Sequence, residues 1–243
     1  MGWSGHTTVP LGGRYATAFT LLELLVAIAV IAILASLILP ALSSSKNRAV
    51  QMTDVNNLKE IMTAVQIYVN DSNDLLPWPN WKSGDHLGRS GWLYVLNSSL
   101  TGPSQFDIHK GLLWPVIKDQ KLYMCPMDNT NLSLFNSRQQ QLSSYAMNGA
   151  VVGYDRTNYP AVKLSRMRPD DVAFWETDET QPSYFNDGAN YPAEGVSARH
   201  QKGAINANCG GAVSYIRLGL WYIQVYDTNR NSLWCYPESI DGR

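Results

Sequence analysis

The side chains of this sequence that could do chemistry are few and widely spaced. Histidine occurs four times and cysteine three times, at Cys125, Cys209 and Cys235. His200 and Cys209 could form a base–nucleophile pair, but residues on either side of a turn meet more often by proximity than for catalysis. The sequence contains no G-x-S-x-G, P-loop or H-E-x-x-H motif. We therefore expect no enzymatic activity, and we interpret His200 as a structural hydrogen-bonding residue.

Metal-ligand patterns in the sequence are weak. Cysteine and histidine spacings give no zinc signal, because a zinc site needs paired ligands at close intervals. Asp178, Glu179 and Asp187 are weak candidates for a calcium loop, which needs six to eight oxygen ligands. Their spacing is irregular, so a solvated loop is the simpler interpretation. We predict no cofactor and leave calcium open.

An odd number of cysteines leaves at least one thiol without a partner in the chain. Cys209 and Cys235 are the pair to test first, because both lie in the C-terminal part. Their positions leave a Cys209–Cys235 disulfide open.

The composition favours an exported, β-rich body. The chain of 243 residues has a net charge of −1, which gives no sign of nucleic-acid binding. Charged residues make up only 16% and aromatic residues 11%. The length suits one domain of ordinary size with extensions.

One apolar run dominates the N-terminal part. Every residue from Leu24 to Leu39 is apolar except Ser36. About 20 apolar residues span a bilayer as a helix, so the run predicts a membrane segment. A buried core helix would need a polar face, which this run lacks. A signal peptide cleaved after 41–43 is disfavoured by the length of the apolar core.

Glu23 is the only ionisable residue between Phe19 and Leu42. An acid within a membrane segment needs a partner. Cleavage between Ala18 and Phe19 would create an α-amine four residues before Glu23, on the same helix face. The amine of a neighbouring chain could pair with Glu23 equally well. Under this hypothesis the carboxylate sets the register of identical packed helices.

The segment from Phe19 to Val26, with Pro40 further on, resembles the cleavage and methylation motif of type IV prepilins and type II secretion pseudopilins. The resemblance implies that a prepilin peptidase removes residues 1–18 and methylates Phe19. It also implies that Glu23 pairs with the N-terminus of an adjacent subunit and that Pro40 kinks the helix. The family usually has Gly where Ala18 stands.

Further motifs resemble a large pseudopilin-like group with a C-terminal His-x9-Asp-Gly motif. They are the segment NNLKEIMTAVQIYVNDSNDLLP, the patches 125–128 and 144–148, and Arg199-His200. The resemblance places Gly210, followed by Gly211, where the motif has Asp. A pairing of His200 with that Asp would be lost, while Gly-Gly still suits a tight turn. Members often have Cys where Asp54 stands.

The pattern of elements predicts an α+β, pilin-like fold. Val55, Leu58, Met62, Val65 and Val69 form a stripe at helical spacing, so the helix continues beyond the membrane and packs on a body. We predict a leader at 1–18, an assembly helix at 19–42, an amphipathic continuation at 43–72 and a β-rich body at 73–243. Strands are expected within 91–96, 121–126, 171–177, 211–218 and 221–227, in a small antiparallel sheet.

These interpretations converge on a non-enzymatic pilin or pseudopilin. Expected partners are prepilin peptidase, identical or related pilin subunits and inner-membrane lipid. The chain would cross the inner membrane once, with its body in the periplasm, before entering a filament or reaching the cell surface. The alternative is a signal-anchored envelope protein that binds a glycan or protein partner and does not polymerise.

Overall fold

The computed structural model describes residues 1, 20–81, 88–155 and 161–243. The chain divides into two compact units, Met1–Lys46 and Asn47–Arg243, which are described separately. The α-helices are α1 Leu21–Asp71, α2 Trp114–Ile117, α3 Ser133–Asn136 and α4 Leu218–Tyr226. The strands are β1 Val95–Leu96, β2 Phe106–Asp107, β3 Tyr145–Asn148, β4 Val172–Glu176, β5 Ala189–Asn190, β6 Gly203–Asn208 and β7 Val213–Arg217.

Helix α1 continues through Pro40, whose ring removes only one backbone donor from the helix. The helix stops at the polar segment after Asp71, as the sequence predicts. Asn73 and Asp74 adopt positive φ angles of 54° and 70°, a conformation that Asn and Asp tolerate better than most residues. The Asp74 N–H donates to the Val69 carbonyl at 3.0 Å, which satisfies one of the last helical acceptors.

The predicted apolar stripe on the second half of α1 is confirmed. Leu58, Met62, Val65 and Val69 are buried and Val55 is partly buried, while Lys59 and Glu60 are exposed. Ile61 and Ala64 widen the stripe, and both are fully buried. The buried face also carries two polar residues, Asp54 and Asn57.

The body contains a five-stranded sheet with the order β5-β3-β4-β6-β7. All neighbours are antiparallel except β3 and β5, so the α+β expectation is confirmed. The register pairs Tyr145 of β3 with Glu176 of β4. Because paired residues project to the same face, these two side chains are neighbours. A two-stranded sheet of β1 and β2 completes the strands in the described residues.

Two apolar clusters pack the body. The larger one joins the buried stripe of α1 to β3, β4 and β6 through residues such as Met147, Phe174 and Ile205. The smaller one contains Trp175 and Trp221, whose ring centroids lie 5.1 Å apart. Adjacent residues of β4, Phe174 and Trp175, enter different clusters, which follows from the alternation of side chains along a strand.

Two predicted strands are wrong. The segment 121–126 begins in a 3₁₀ helix, Gln120–Tyr123, and the segment 221–227 lies mainly in α4. Trp221 and Val225 of α4 are buried, four residues apart, while Leu220 and Ile223 are exposed. This is helical spacing, and it overrides the β-propensity of the aromatic and branched residues. The predicted strands at 171–177 and 211–218 are confirmed as β4 and β7.

Ile61→Ala tests the packing of α1 on the body. We expect the substitution to lower the free energy of unfolding by about 2–5 kcal/mol, because it leaves a cavity in the core. Ile67→Ala is the matched control on the same helix, since Ile67 is 43% exposed, and it should cost less than about 1 kcal/mol. Urea unfolding followed by tryptophan fluorescence measures both. Equal losses in the two variants would contradict the packing.

Candidate functional site

The first turn of α1 is closed by Thr20 and Glu23. The backbone N–H and the hydroxyl of Thr20 both donate to Glu23 Oε2 at 2.8 Å, and the Glu23 N–H donates to Thr20 Oγ1 at 3.2 Å. This reciprocal arrangement is a capping box, which satisfies donors at the start of a helix. The T-x-x-E spacing before an apolar run could have revealed it from sequence. Ala18 and Phe19 lie outside the described residues.

The apolar segment of α1 is uncovered within its own unit. Each large aliphatic side chain from Leu21 to Leu42 exposes at least 50% of its surface. Among the described residues, α1 is the one helix long and apolar enough to cross a membrane, by length and composition. Water does not favour so much exposed apolar surface, so this segment needs lipid or other helices around it.

A second group of functional side chains lies in the core of the body. Asp54, Cys125, Glu176 and His200 each offer a ligand atom, and these atoms all lie within 4.8 Å of one another. His200 Nε2 is 3.2 Å from Asp54 Oδ2, 3.4 Å from Glu176 Oε1 and 3.5 Å from Cys125 Sγ. All four residues are at most 4% exposed. We call these four residues the buried cluster.

Four separate elements position the buried cluster. Asp54 lies on the buried face of α1, one turn before Leu58, and Glu176 ends β4. Cys125 follows the 3₁₀ helix Gln120–Tyr123, where its N–H donates to Ser144 Oγ at 3.0 Å. His200 precedes β6, and its N–H donates to the Gly203 carbonyl at 3.1 Å.

Hydrogen bonds from outside the cluster orient its carboxylates. The Tyr145 hydroxyl donates to Asp54 Oδ1. The Ile205 N–H donates to Glu176 Oε2 at 2.7 Å. Arg199 Nη1 donates to Glu176 Oε1 at 3.1 Å. Each carboxylate is therefore held in one orientation toward His200.

An outer layer of charge surrounds the buried cluster. Arg138 makes a bidentate pair with Asp128 at 2.6 and 3.0 Å, and Ser144 Oγ donates to the same carboxylate at 2.7 Å. Arg199 Nη2 lies 3.5 Å from Asp128 Oδ2, so it connects Asp128 to Glu176. Buried charges are tolerated when they are paired and hydrogen-bonded in this way.

Burial and hydrogen bonding shift the pKa values of His200, Asp54 and Glu176. Burial lowers the pKa of His200, but hydrogen bonds to Asp54 and Glu176 outweigh it and raise the pKa to about 9. Burial raises the pKa of Asp54. Burial also opposes ionisation of Glu176, but His200 and Arg199 hold its pKa below the usual range.

The thiol of Cys125 is kept protonated. Burial, followed by the carboxylates of Glu176 and Asp54, raises the pKa of Cys125 above its ordinary value. A nucleophilic cysteine needs the opposite environment, one that lowers its pKa. As a set, the four side chains supply two oxygen donors, one nitrogen and one sulfur, which is a donor set for a transition metal ion.

The structure brings together motif patches that are far apart in the sequence. Cys125 and Asp128, Ser144 and Tyr145, and Arg199-His200 all meet around the buried cluster. Sequence reasoning did not assign Asp54 or Glu176 to a site. Asp54 could have been recognised from sequence, because it lies four residues before Leu58 and so continues the apolar stripe of α1 with a carboxylate.

Gly210 and Gly211 lie in the turn between β6 and β7, away from the direct contacts of His200. The Gly211 N–H donates to the Asn208 carbonyl at 2.9 Å, and Gly211 has a φ of 86°. Glycine adopts this conformation without steric cost. His200 instead faces Asp54, Glu176 and Cys125.

The weak calcium candidates have local roles. Asp178 Oδ1 accepts from the N–H and hydroxyl of Thr180, and Asp187 Oδ1 accepts from the Ala189 N–H. Glu179 Oε2 lies 3.4 Å from Arg199 Nε. The described groups that could hold a metal ion include the buried cluster but none of these three residues.

The Cys209–Cys235 disulfide is not formed. All three cysteines lie in described parts of the chain, where each is a buried free thiol. Cys235 Sγ accepts from Asn148 Nδ2 at 3.5 Å, while Cys209 follows β6 and its N–H donates to the Asp171 carbonyl. The pair was suggested only because both cysteines lie in the C-terminal part of the chain, and this position does not bring their sulfur atoms to bonding distance.

The raised pKa of His200 predicts a pH-dependent stability for the metal-free protein. His200 binds its proton more tightly in the folded chain than in the unfolded chain. The protonated side chain therefore contributes fully to the free energy of unfolding below the ordinary pKa of 6.5, and this contribution is lost as the pH rises through about 9. Between pH 6.5 and 8 the free energy of unfolding should fall by about 1.5 kcal/mol. Cysteines of the unfolded chain ionise mainly above this window.

The slope of stability against pH is measured by urea unfolding of the detergent-solubilised chain after treatment with a chelator. Tryptophan fluorescence follows the unfolding of the body, because no tryptophan lies between residues 20 and 46. His200→Gln should flatten the dependence, because glutamine does not titrate. Cys125→Ser is the control for the facing thiol and should leave the slope intact. A pH-independent stability in the unsubstituted chain would contradict the proposed protonation.

Comparisons with known proteins bear on the N-terminal part alone. The family described as "Prokaryotic N-terminal methylation motif" matches residues 13–39. No curated protein matches the chain, and no solved structure matches it. The match includes the capped start of α1, Glu23 and most of the uncovered apolar segment. The chain thus carries a prepilin-type N-terminal methylation motif at residues 13–39, which continues into an apolar helix, as in pilin-like prepilin substrates.

Proposed function

We propose that this protein is a structural subunit, a pilin or pseudopilin, of a type IV pilus-like or type II secretion filament. A prepilin peptidase cuts between Ala18 and Phe19, and the subunit assembles through α1. One observation carries the proposal: the segment within residues 13–39 that matches the methylation motif is also the uncovered apolar part of α1. A helix of this kind can be covered by lipid first and by the helices of other subunits later.

Glu23 is suited to both stages. Before cleavage, Thr20 donates two hydrogen bonds to its Oε2 atom, and these lower the cost of placing a carboxylate near lipid. After cleavage, the α-amine of Phe19 supplies a positive charge at the start of the helix. In a low-dielectric environment, an amine and a carboxylate on adjacent subunits attract strongly.

The remainder of the chain forms the displayed part of the subunit. Before assembly the chain would cross the inner membrane once, with residues 73–243 in the periplasm. From residue 47 onward, α1 belongs to the same compact unit as the sheet, and its buried stripe fixes it to the body.

The alternative, a signal-anchored envelope protein that binds a glycan or protein partner, has less support. It relies on aromatic side chains at the surface of the body. Most of the described tryptophans are buried instead: Trp78, Trp81, Trp92, Trp175, Trp221 and Trp234. They contribute to the core, as expected for aromatic residues in a small body.

Glu23→Gln separates pairing between subunits from helix capping. Glutamine keeps the capping box but removes the charge, so membrane insertion should persist. Filament yield should fall about tenfold or more, because an unpaired amine in a low-dielectric contact costs several kcal/mol. Glu60→Gln, at an exposed position of α1, is the matched control. Electron microscopy and sedimentation of sheared filaments measure the yield, and an unchanged yield for Glu23→Gln would refute the pairing.

Ala18→Gly tests the cleavage site. Gly is the residue that the prepilin family usually has before the cut, so the substitution should increase the processed fraction. Mass spectrometry of the mature N-terminus is the measurement, with methylated Phe19 as the expected product. A mature chain beginning at Ser44 would indicate secretion by a signal peptidase, and an intact N-terminus in both proteins would indicate a simple membrane anchor. Either result would overturn the proposed processing.

A further inference from the structure

We propose that Asp54, Cys125, Glu176 and His200 bind one divalent transition metal ion, with zinc as the best fit to the donors. This inference concerns the core of the body and does not depend on filament assembly. The family match ends at residue 39, so it does not assign this site. Three observations support it: the distances between ligand atoms, an excess of acceptors around one nitrogen, and the hydrogen bonds around the ligands.

The distances between the ligand atoms fit a tetrahedral ion. Zinc bonds of 2.0–2.3 Å at tetrahedral angles place O and N ligands about 3.3 Å apart and N and S ligands about 3.6 Å apart. His200 Nε2 lies 3.2 and 3.4 Å from the carboxylate oxygens of Asp54 and Glu176, and 3.5 Å from the sulfur of Cys125. These three separations match those expected for a shared tetrahedral ion, and the other pairs of ligand atoms lie within 4.8 Å of one another.

Hydrogen bonding alone does not satisfy the cluster. His200 Nε2 carries at most one proton, yet it faces two carboxylate oxygens as well as the sulfur of Cys125. Asp54 Oδ2 is buried and lies 3.2 Å from His200 Nε2, whose single proton it shares with Glu176 Oε1, and it accepts no other hydrogen bond from the described residues. Leaving a buried acceptor unsatisfied costs about 1–3 kcal/mol, and more for a charged group. A metal ion between the four side chains would bond to all of them at once.

The surrounding hydrogen bonds turn one oxygen of each carboxylate toward His200, although Glu176 Oε1 also accepts from Arg199 Nη1 at 3.1 Å. Tyr145 donates to Asp54 Oδ1, and the Ile205 N–H donates to Glu176 Oε2. Asp54 Oδ2 and Glu176 Oε1 are then the atoms that face His200. The Met127 N–H points at Cys125 Sγ from 3.4 Å. Such outer contacts orient ligands and tune their affinity in metal sites.

Charge is conserved when the ion enters. In the metal-free cluster the His200 imidazolium carries one proton more than a neutral imidazole, and the Cys125 thiol carries one proton more than a thiolate. Binding of a divalent ion releases both protons and adds two positive charges, so the formal charge of the buried region does not change. The ion pairs among Arg199, Asp128 and Arg138 can persist. A buried site that exchanges two protons for one ion avoids the cost of a net buried charge.

A surface cavity lies beside His200. His200 contributes to the lining of a surface cavity of about 500 Å³, together with Gln51, Gln201, Lys202, Tyr215 and Arg217. The cluster itself is buried, so exchange would be slow and binding during folding would be favoured. Metal should therefore be supplied both during expression and after purification.

Cobalt(II) is the probe for this site, because it replaces zinc in tetrahedral sites and absorbs light. The detergent-solubilised full-length chain is stripped with a chelator and titrated with Co²⁺, then with Zn²⁺. We expect one Co²⁺ per chain, tetrahedral d–d bands and thiolate-to-cobalt charge-transfer absorption, all displaced by Zn²⁺. Saturating Zn²⁺ should raise the midpoint of thermal unfolding by about 5 °C or more.

Variants identify the ligands. Cys125→Ser should abolish the charge-transfer band, whereas Cys209→Ser and Cys235→Ser, which remove buried thiols outside the cluster, should retain it. Asp54→Asn keeps the shape of the side chain and the thiol, and it should weaken Co²⁺ binding about tenfold or more. If Cys125→Ser does not fold, Asp54→Asn with the two cysteine controls still tests the site. Absence of tetrahedral bands, a charge-transfer band retained in Cys125→Ser, or an unchanged Co²⁺ affinity in Asp54→Asn would overturn the proposal.

Discussion

The body of this protein depends on the neutralisation of charge where α1 meets the sheet. Asp54 lies on the buried face of α1, and a carboxylate in that position requires a partner at short range. His200 supplies it, and Glu176, Arg199, Asp128 and Arg138 extend the compensation across β4 and the loops around it. This network adds directional contacts to the apolar packing between helix and sheet.

The first and second parts of α1 differ in what covers their apolar side chains. The first part presents apolar side chains that its own unit does not cover, so its stability depends on what surrounds it. The part after residue 47 buries a stripe of apolar residues against the body. A single continuous helix thus combines a segment that needs an external apolar environment with a segment that is satisfied within the chain.

Sequence patterns predicted the features that depend on local periodicity. The apolar run follows from its length, the stripe on α1 from helical spacing, and strands β4 and β7 from short runs of β-branched and aromatic residues. The prediction was wrong for α4, where burial of Trp221 and Val225 decides the conformation. It missed β6, whose segment GAINAN consists of small and amide residues with little β-propensity. The buried cluster was not predicted because its four residues come from four distant segments of the chain. No short sequence motif contains more than one of them.

That separation along the chain has a kinetic consequence. Tyr145 is 91 residues from Asp54, with which it shares a hydrogen bond, and His200 is 75 residues from Cys125. Closing loops of this length costs entropy before any contact is gained, and folds rich in such contacts form slowly. Asp54, on the buried face of α1, is synthesised first and stays hydrated until β6 and its preceding turn arrive. Completion of the charged core therefore requires that four distant segments of the chain come together.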